Sequence, residues 1–498
     1  MAGRKEDVFK LYNLRYVPLF ALVFVLGILC VSFSDIVAAI VLVVALLCLF
    51  ALFITKSIGR NIAVLLAVVL LLGFGLASGA LYWRNQTGAE GYVTATCRAV
   101  SVSQTSDGYR VVGDSLCCDG TRYTGGITLT TDNPVAVGDH VTAYGTIEID
   151  KLSLETMYDA LKYRTGTKYV MNASACETTA GAAPLATRIR DKIRECLVAF
   201  EGERSGGFSY AMFFGDTDYM FGSDKATLRA VGGAHIFAVS GLHVGVLSAA
   251  MIWLLKKLKA NRLVILLTML PILGFYAYLA SFTPSVLRAS MMVLLYLLAS
   301  TLGMRYDDLS ALSFSAFVIL LVKPLWLFDL SFIMSFLSLL GIISLASPLE
   351  KVFSKCKIPP KLSSALALSV STSIALFPLS ATVFGTASLL GVLVNIVIVP
   401  LASVTYILTV LLLPFALLYS GFGAVIQRVG YLPLGIIEIA EWANKANVTG
   451  EHDFYAWEFI LYYGTLALVG KHSLARKKVK LAVGGIAAAT FAIVIFAV

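Results

Sequence analysis

The polar residues with chemical potential in this chain lie inside apolar surroundings. Arg229 to Gly245 reads Arg-Ala-Val-Gly-Gly-Ala-His-Ile-Phe-Ala-Val-Ser-Gly-Leu-His-Val-Gly, so His235, Ser240, Gly241 and His243 gather at the start of an apolar run. A serine and a histidine three apart on a helix can meet, which opens a nucleophile–base reading. Nothing nearby supplies an oxyanion hole, so an intramembrane Ser/His hydrolase is the weaker reading. The five histidines, His140, His235, His243, His452 and His472, show neither HxH nor HExxH spacing, so no metal and no cofactor is expected. Two readings stay open for the cluster: small residues packing helices together, or polar groups lining a pathway. Arg288 falls within another apolar run, where a guanidinium must pair, face water or snorkel to the surface. Asp329, at the outer end of its hairpin, is a candidate partner.

The elements that must position these residues are membrane helices. Hydrophobic residues make up 58% of the chain and charged residues 14%, with mean hydropathy +0.84. A soluble domain carries roughly 25% charged residues, and a chain this apolar would have no surface to keep it in water. Long apolar runs, not short alternating ones, predict a polytopic α-helical membrane protein of about 11–13 spans, some of them re-entrant. Much of the net charge of +9 is then the positive-inside bias, not a nucleic-acid signal. Residues 1–83 hold amino-terminal transmembrane helices, with runs at 17–33, 36–54 and 61–83. The first run lacks a cleavage site and reads as a retained helix. Runs resume at 236–256, 263–280, 285–303, 309–327, 330–347 and 363–385, and residues 448–498 hold the last helices. Basic loops at Lys56 and Arg60, at Lys256 to Arg262 and at Lys351 to Lys361 place one side inside, which leaves residues 84–180 and the carboxyl terminus outside a cytoplasmic membrane. Residues 388–420 are too long for one straight span, and parity asks them to leave and return through a break near Asn395 and Pro400. Residues 422–447 read as an amphipathic segment outside the membrane.

Residues 84–180 change character. Alternating stretches at Tyr92–Val102, Tyr109–Leu116, Ile127–Thr131, His140–Ile149 and Lys168–Ala173 predict five short strands, which suit a small extracytoplasmic OB-like β-barrel inserted after the third helix. Of eight cysteines, Cys97, Cys117, Cys118 and Cys176 lie here. An external compartment permits disulfides, and adjacent cysteines rarely bridge each other, so Cys97 would pair with one of Cys117 and Cys118, and Cys176 with the other. Residues 181–230 are amphipathic and of mixed charge, and read as a segment along the outer surface.

Several of these segments, in order, resemble the ComEC family of competence proteins. Gly215-Asp216 through Arg229, Gly232 to His235 and Ala238 to Val244 are similar to that family's signature. Pro284-Ser285-Val286-Leu287-Arg288-Ala289 resembles its P-S-x-x-R-A. Asp307 to Leu309 with Ala311, Phe328-Asp329 with Ser331-Phe332 and Ser335-Phe336, and Pro378 with Leu389 to Asn395 resemble its later motifs. Gly138-Asp139-His140-Val141 and Tyr144-Gly145 resemble a strand of its external domain, and Tyr158-Asp159 with Tyr163 do so loosely. Ile333 and Met334 depart from the pattern where the family carries a glutamine. Many members continue into a metallo-β-lactamase-like domain; nothing of that kind follows Val498, so nuclease activity is not expected.

The resemblance implies a channel for single-stranded DNA across the bacterial cytoplasmic membrane, with residues 231–447 as its core. It implies partners beyond the lipid bilayer: a separate DNA receptor, a nuclease, a cytoplasmic motor and further copies of the chain. His235, Ser240, Gly241, His243, Arg288 and Asp329 would line the pathway. Tyr92, Arg98, Tyr109, Arg110, Arg122 and Tyr123 would receive DNA on the external barrel by stacking and backbone contacts. The rival class is a small-solute transporter or a membrane scaffold.

Overall fold

The computed structural model describes residues 16–32, 39–47, 60–86, 88–105, 108–152, 167–231, 233, 236–237, 241–356, 358–384, 387–419, 423–445, 449–450 and 456–469. They divide into two compact units. One comprises Val23–Cys196 and Phe317–Leu330, the other Met1–Leu22, Leu197–Ala316 and Ser331–Val498.

The unit holding Val23–Cys196 begins with helices and ends in a barrel. Helix α1 spans Tyr16–Leu29, α2 covers 39–47 and α3 spans Arg60–Gln86. Helices α1 and α3 touch through glycines. A β-carbon on Gly73 would lie 2.5 Å from the Phe24 carbonyl oxygen, and one on Gly27 would strike the Leu70 carbonyl. Small residues let membrane helices approach this closely, where dispersion between backbones replaces the hydrophobic effect.

Six strands follow: β1 Gly91–Thr105, β2 Gly108–Cys118, β3 Thr121–Arg122, β4 Gly126–Thr131, β5 His140–Ile149 and β6 Thr167–Thr179. Strand β1 pairs with both β2 and β5, β5 with β6, β6 with β4 and β4 with β2, so five strands close into a barrel. All pairings in the ring are antiparallel except β4 with β6. Alternation puts Ala95, Cys97, Ala99, Val111, Ile127, Leu129, Val141, Ala143, Ile147, Tyr169, Met171 and Cys176 in the interior.

The barrel is bolted to α3. The Arg84 guanidinium donates to the Thr167 carbonyl at 2.7 Å and pairs with Asp150 at 3.0 Å. Asn85 exchanges two hydrogen bonds with the backbone of Leu152, and Lys168 donates to the Trp83 carbonyl at 2.7 Å while lying over the indole. Removing one partner of a buried pair such as Arg84–Asp150 costs about 3–5 kcal/mol, an upper range here because Asp150 is 43% exposed.

The other unit is helical. After the end of α4 (Leu185–Glu201) come α5 Glu203–Phe214, α6 Gly222–Ala230, α7 Gly241–Lys257, α8 Arg262–Leu279, α9 Pro284–Leu302 and α10 Asp308–Val322. Then follow α11 Leu330–Lys355, α12 Pro360–Phe384, β7 Ala387–Ser388, α13 Leu389–Leu418, α14 Gly423–Val429, α15 Tyr431–Lys445, β8 Thr449–Gly450 and α16 Ala456–Val469. Gly215 ends α5 in the left-handed conformation (φ 75°), which glycine adopts without a Cβ penalty. On α8, Ile265, Met269, Leu273 and Ala277 recur every four residues and pack against Val244, Val286, Ala289 and Leu297 of the neighbouring helices. The opposite face, with Leu263, Leu267 and Leu270, is exposed, as a lipid-facing stripe would be.

Seven helices among the described residues are long and apolar enough to cross a membrane, fewer than the sequence runs suggest. Tyr16–Ser32 and Asp308–Val322 are apolar but shorter, and most of 36–54 and all of 481–498 lie outside the described residues. The expected break near Asn395 and Pro400 does not occur: α13 is one continuous helix of 30 residues, with Pro400 and Pro414 inside it. Proline is tolerated in membrane helices where neighbours re-satisfy the freed carbonyl. Residues 423–445, expected on the surface, qualify by length and composition as a span.

The same logic is visible at Pro378. Its missing N–H would leave the Ile374 carbonyl unpaired, and the Tyr462 hydroxyl on α16 donates to that carbonyl at 2.6 Å. Tyr463 donates to the Ala375 carbonyl at 3.0 Å.

Candidate functional site

Helices α7, α8, α9 and α11 bring part of the sequence-predicted cluster together. Pro284 starts α9, where its fixed φ suits the first turn, and Arg288 lies one turn further on. Arg288 is 6% exposed. Its Nη1 donates to the Ser335 carbonyl on α11, and its Cζ lies 5.8 Å from the centre of the Phe336 ring. Its Nη2 rests against Gly241 at the start of the described part of α7, where a β-carbon would come within 2.7 Å. Nε has no partner, and Arg288 forms no ion pair among the described residues.

The same helices carry buried hydroxyls. Ser248 on α7, Tyr276 on α8, Thr283 and Ser290 at α9 and Ser335 on α11 all carry buried oxygens with no hydrogen-bond partner. A buried polar group left unpaired costs about 1–3 kcal/mol, so several in one bundle are affordable only if water or a polar passenger reaches them.

His243 is buried, its ring centre 4.0 Å from that of Tyr406 on α13. Tyr406 in turn lies 5.1 Å from Phe213 on α5, and its hydroxyl faces that of Tyr276 without the geometry of a full hydrogen bond. His235 and Ser240 lie outside the described residues. Asp329 is buried at the end of the short turn Pro324–Phe328, and the acceptor seen for Arg288 is the Ser335 carbonyl.

On the barrel, Tyr92 and Arg98 lie on β1, Tyr109 and Arg110 on β2, Arg122 on β3 and Tyr123 just after it. Tyr92 is 71% exposed, with its hydroxyl 3.4 Å from Ser174. Arg98 is half-buried, opposite Asp114 across the strands and opposite His140 on β5, and donates to the Ala182 carbonyl at 3.2 Å. Arg110 stands opposite Ser103, four residues along β2 from Asp114, about 13 Å away at strand spacing. Tyr109 is beside it. Arg122 is exposed opposite Cys117, whereas Tyr123 packs against the interior and meets Tyr169 edge to face.

The four barrel cysteines are free thiols in the structure. Cys97, Cys118 and Cys176 point inward, and Cys117, the next residue on the strand, points out. The two-bridge arrangement expected from the sequence would need Cys117 inside, which alternation forbids while Cys118 is there. Burial pushes the Cys97 thiol up to about 12 and the Cys118 thiol up to about 11.

Sequence reasoning missed two polar contacts. Arg204 on α5 holds Asp224 on α6 bidentately at 2.7 and 2.8 Å and Glu441 on α15 at 2.9 Å. Glu201, Ser205, Ser209 and the Gly430 carbonyl form a second. Both join residues far apart in the chain, and no local spacing announces them.

Residues 212–476 match the family described as Competence protein. A stretch of 148 residues is 32% identical to ComE operon protein 3 of Bacillus subtilis (strain 168), covering 30% of this chain and 19% of that protein. A second similarity, 29% over 140 residues, is to an uncharacterized protein of Aquifex aeolicus (strain VF5), covering 26% of this chain and 33% of that one. The chain thus matches a third or less of the length of either relative. No solved structure matches it.

Proposed function

The chain belongs to the Competence protein family, and on that premise we propose that it is a membrane channel importing single-stranded DNA across the bacterial cytoplasmic membrane during natural transformation. The observation that carries the reading is Arg288: a guanidinium buried among helices, held by the Ser335 carbonyl and the Phe336 ring, with no ion-pair partner among the described residues. A strand in transit offers phosphates that such a charge can hold and release, and it brings its own water. His243 and Gly241, and by the sequence pattern His235 and Ser240, belong to the same pathway. The chain performs no chemistry on the strand.

The barrel supports an OB-like receiving domain, since its closed ring of five strands with one parallel pair is compatible with that fold. Tyr92, Arg98, Tyr109, Arg110 and Arg122 would make backbone and stacking contacts there, with Tyr123 confined to an edge role. Basic loops orient the barrel outside and Lys256–Arg262 inside. With α13 unbroken, the return crossing that parity demands falls to residues 423–445. A separate receptor, nuclease and motor would act with it, and several copies of the chain would assemble.

Deletion of the gene tests this. Cells lacking the chain should bind DNA at their surface and fail to internalise it. Normal internalisation would refute the reading.

A further inference from the structure

Away from the helices around Arg288, the structure encloses a carboxyl group with no positive partner among the described residues. Glu201 ends α4. Its Oε2 accepts from Ser209 at 2.6 Å and lies 3.3 Å from the Ser205 hydroxyl, one turn earlier on α5. Ser205 spends its single proton on the Gly430 carbonyl, 2.6 Å away between α14 and α15. A hydroxyl has one proton to give, so Ser205 cannot also donate to Glu201. Oε1 is buried with no partner. Gly430 presses on the same side chain: a β-carbon there would meet Glu201 Cβ at 3.0 Å.

An ionised carboxylate here would face one donor, one orphaned oxygen and a carbonyl dipole. The charged groups on the elements packed around it are Glu203 and Arg204 on α5, Asp224, Lys225 and Arg229 on α6, Arg428 on α14, and Glu438, Glu441 and Lys445 on α15; α13 carries none. Arg204 is committed to Asp224 and Glu441. None of these groups perturbs Glu201: burial pushes its carboxyl up to about 7, against a smaller opposing effect from the Ser209 hydrogen bond.

We propose that Glu201, Ser205, Ser209 and the Gly430 carbonyl form a proton-binding site that latches the α4–α5 elbow to the α14–α15 junction. The bound ligand is a single proton on the Glu201 carboxyl. With it, the elbow and the junction stay closed on each other; without it, the uncompensated charge loosens their contact. The latch stands independently of any DNA role.

The sign follows from linkage. A carboxyl that holds its proton more tightly when folded than its ordinary 4.5 stabilises the fold less as pH rises, until the folded value is passed. The full chain in lipid nanodiscs should show an unfolding midpoint that falls between about pH 5 and about pH 7 and then levels. Glu201→Gln, which keeps the shape of the neutral acid, should abolish that fall and hold the acid-side midpoint throughout. Ser209→Ala removes a bond that favours the ionised form, so it should move the transition to higher pH. Infrared difference spectra should show a protonated carboxyl band near neutral pH that Glu201→Gln lacks. A Glu201→Gln protein with the wild-type pH profile, or a Ser209→Ala transition that does not move upward, would overturn the proposal.

Discussion

Gly241 on α7 and the Arg288 guanidinium on α9 are in direct apposition, with room for Nη2 only because residue 241 has no side chain. Charge, more than fine geometry, should matter for a group that must release each phosphate it holds. Arg288→Lys should therefore keep much of DNA uptake at normal membrane abundance, and Arg288→Ala should lose it. If Arg288 is instead a structural clamp between the Ser335 carbonyl and the Phe336 ring, both variants should lower abundance, because lysine lacks the flat guanidinium that stacks on a ring. Uptake and abundance measured on the same cells decide between the two.

Tyr462 should matter only because Pro378 is there. Tyr462→Phe removes the donor to the Ile374 carbonyl and should cost about 0.6–1.7 kcal/mol, the range of interhelical hydrogen bonds in membranes. Pro378→Ala restores the backbone N–H that would otherwise pair with that carbonyl. A double-mutant cycle should then show the Tyr462→Phe cost shrinking in the Pro378→Ala background. Equal costs in both backgrounds would break the link between the kink and the hydroxyl.

The barrel thiols should separate by face. At about pH 8, one in about a thousand or fewer of the Cys97 and Cys118 thiols is ionised, because burial raises both. Alkylation of the folded protein should reach Cys117 and Cys356 first, and the interior three only at higher pH or on unfolding. Peptide mapping of the labelled sites checks this. Any bridge formed on oxidation would join two of Cys97, Cys118 and Cys176, and leave Cys117 free.

Much of this was legible because two periodicities do not resemble each other. Period-two alternation marked five strands, and β5 matches the sequence stretch from His140 to Ile149, whereas β6 runs on past Ala173 to Thr179. Apolar runs marked the helices, and the ordered motifs marked Gly241 and Arg288 as companions. What failed had physical causes. Residues 388–420 looked too long for one helix, yet a helix can extend beyond the hydrocarbon core, and α13 at about 45 Å exceeds the core's roughly 30 Å. Cysteine pairing depends on which face of its strand each residue takes, which the compartment alone does not reveal. Glu201, Ser205 and Gly430 meet only through tertiary packing, so no spacing could reveal them.

DNA binding by the barrel should be electrostatic and distributed. Arg98, Arg110 and Arg122 are too far apart along the ribbon to grip one phosphate, so each should contribute separately. Replacing any one with alanine should lessen the dependence of log affinity on log salt by about 0.7, the contribution of one phosphate contact on a single strand. Binding titrations with an unstructured oligonucleotide at several salt concentrations measure it. A slope unchanged by all three substitutions would remove these arginines from the interface.

The imported strand should pass the Gly241–Arg288 apposition. Gly245 lies one turn beyond Gly241 on the same face of α7, and a β-carbon there meets nothing within 4 Å. Gly245→Cys should therefore fold, and it should cross-link to a strand stalled during import that carries thiol-reactive groups. Leu267→Cys, on the exposed apolar face of α8, should not. Internalised DNA that reacts with neither position, or equally with both, would contradict the account.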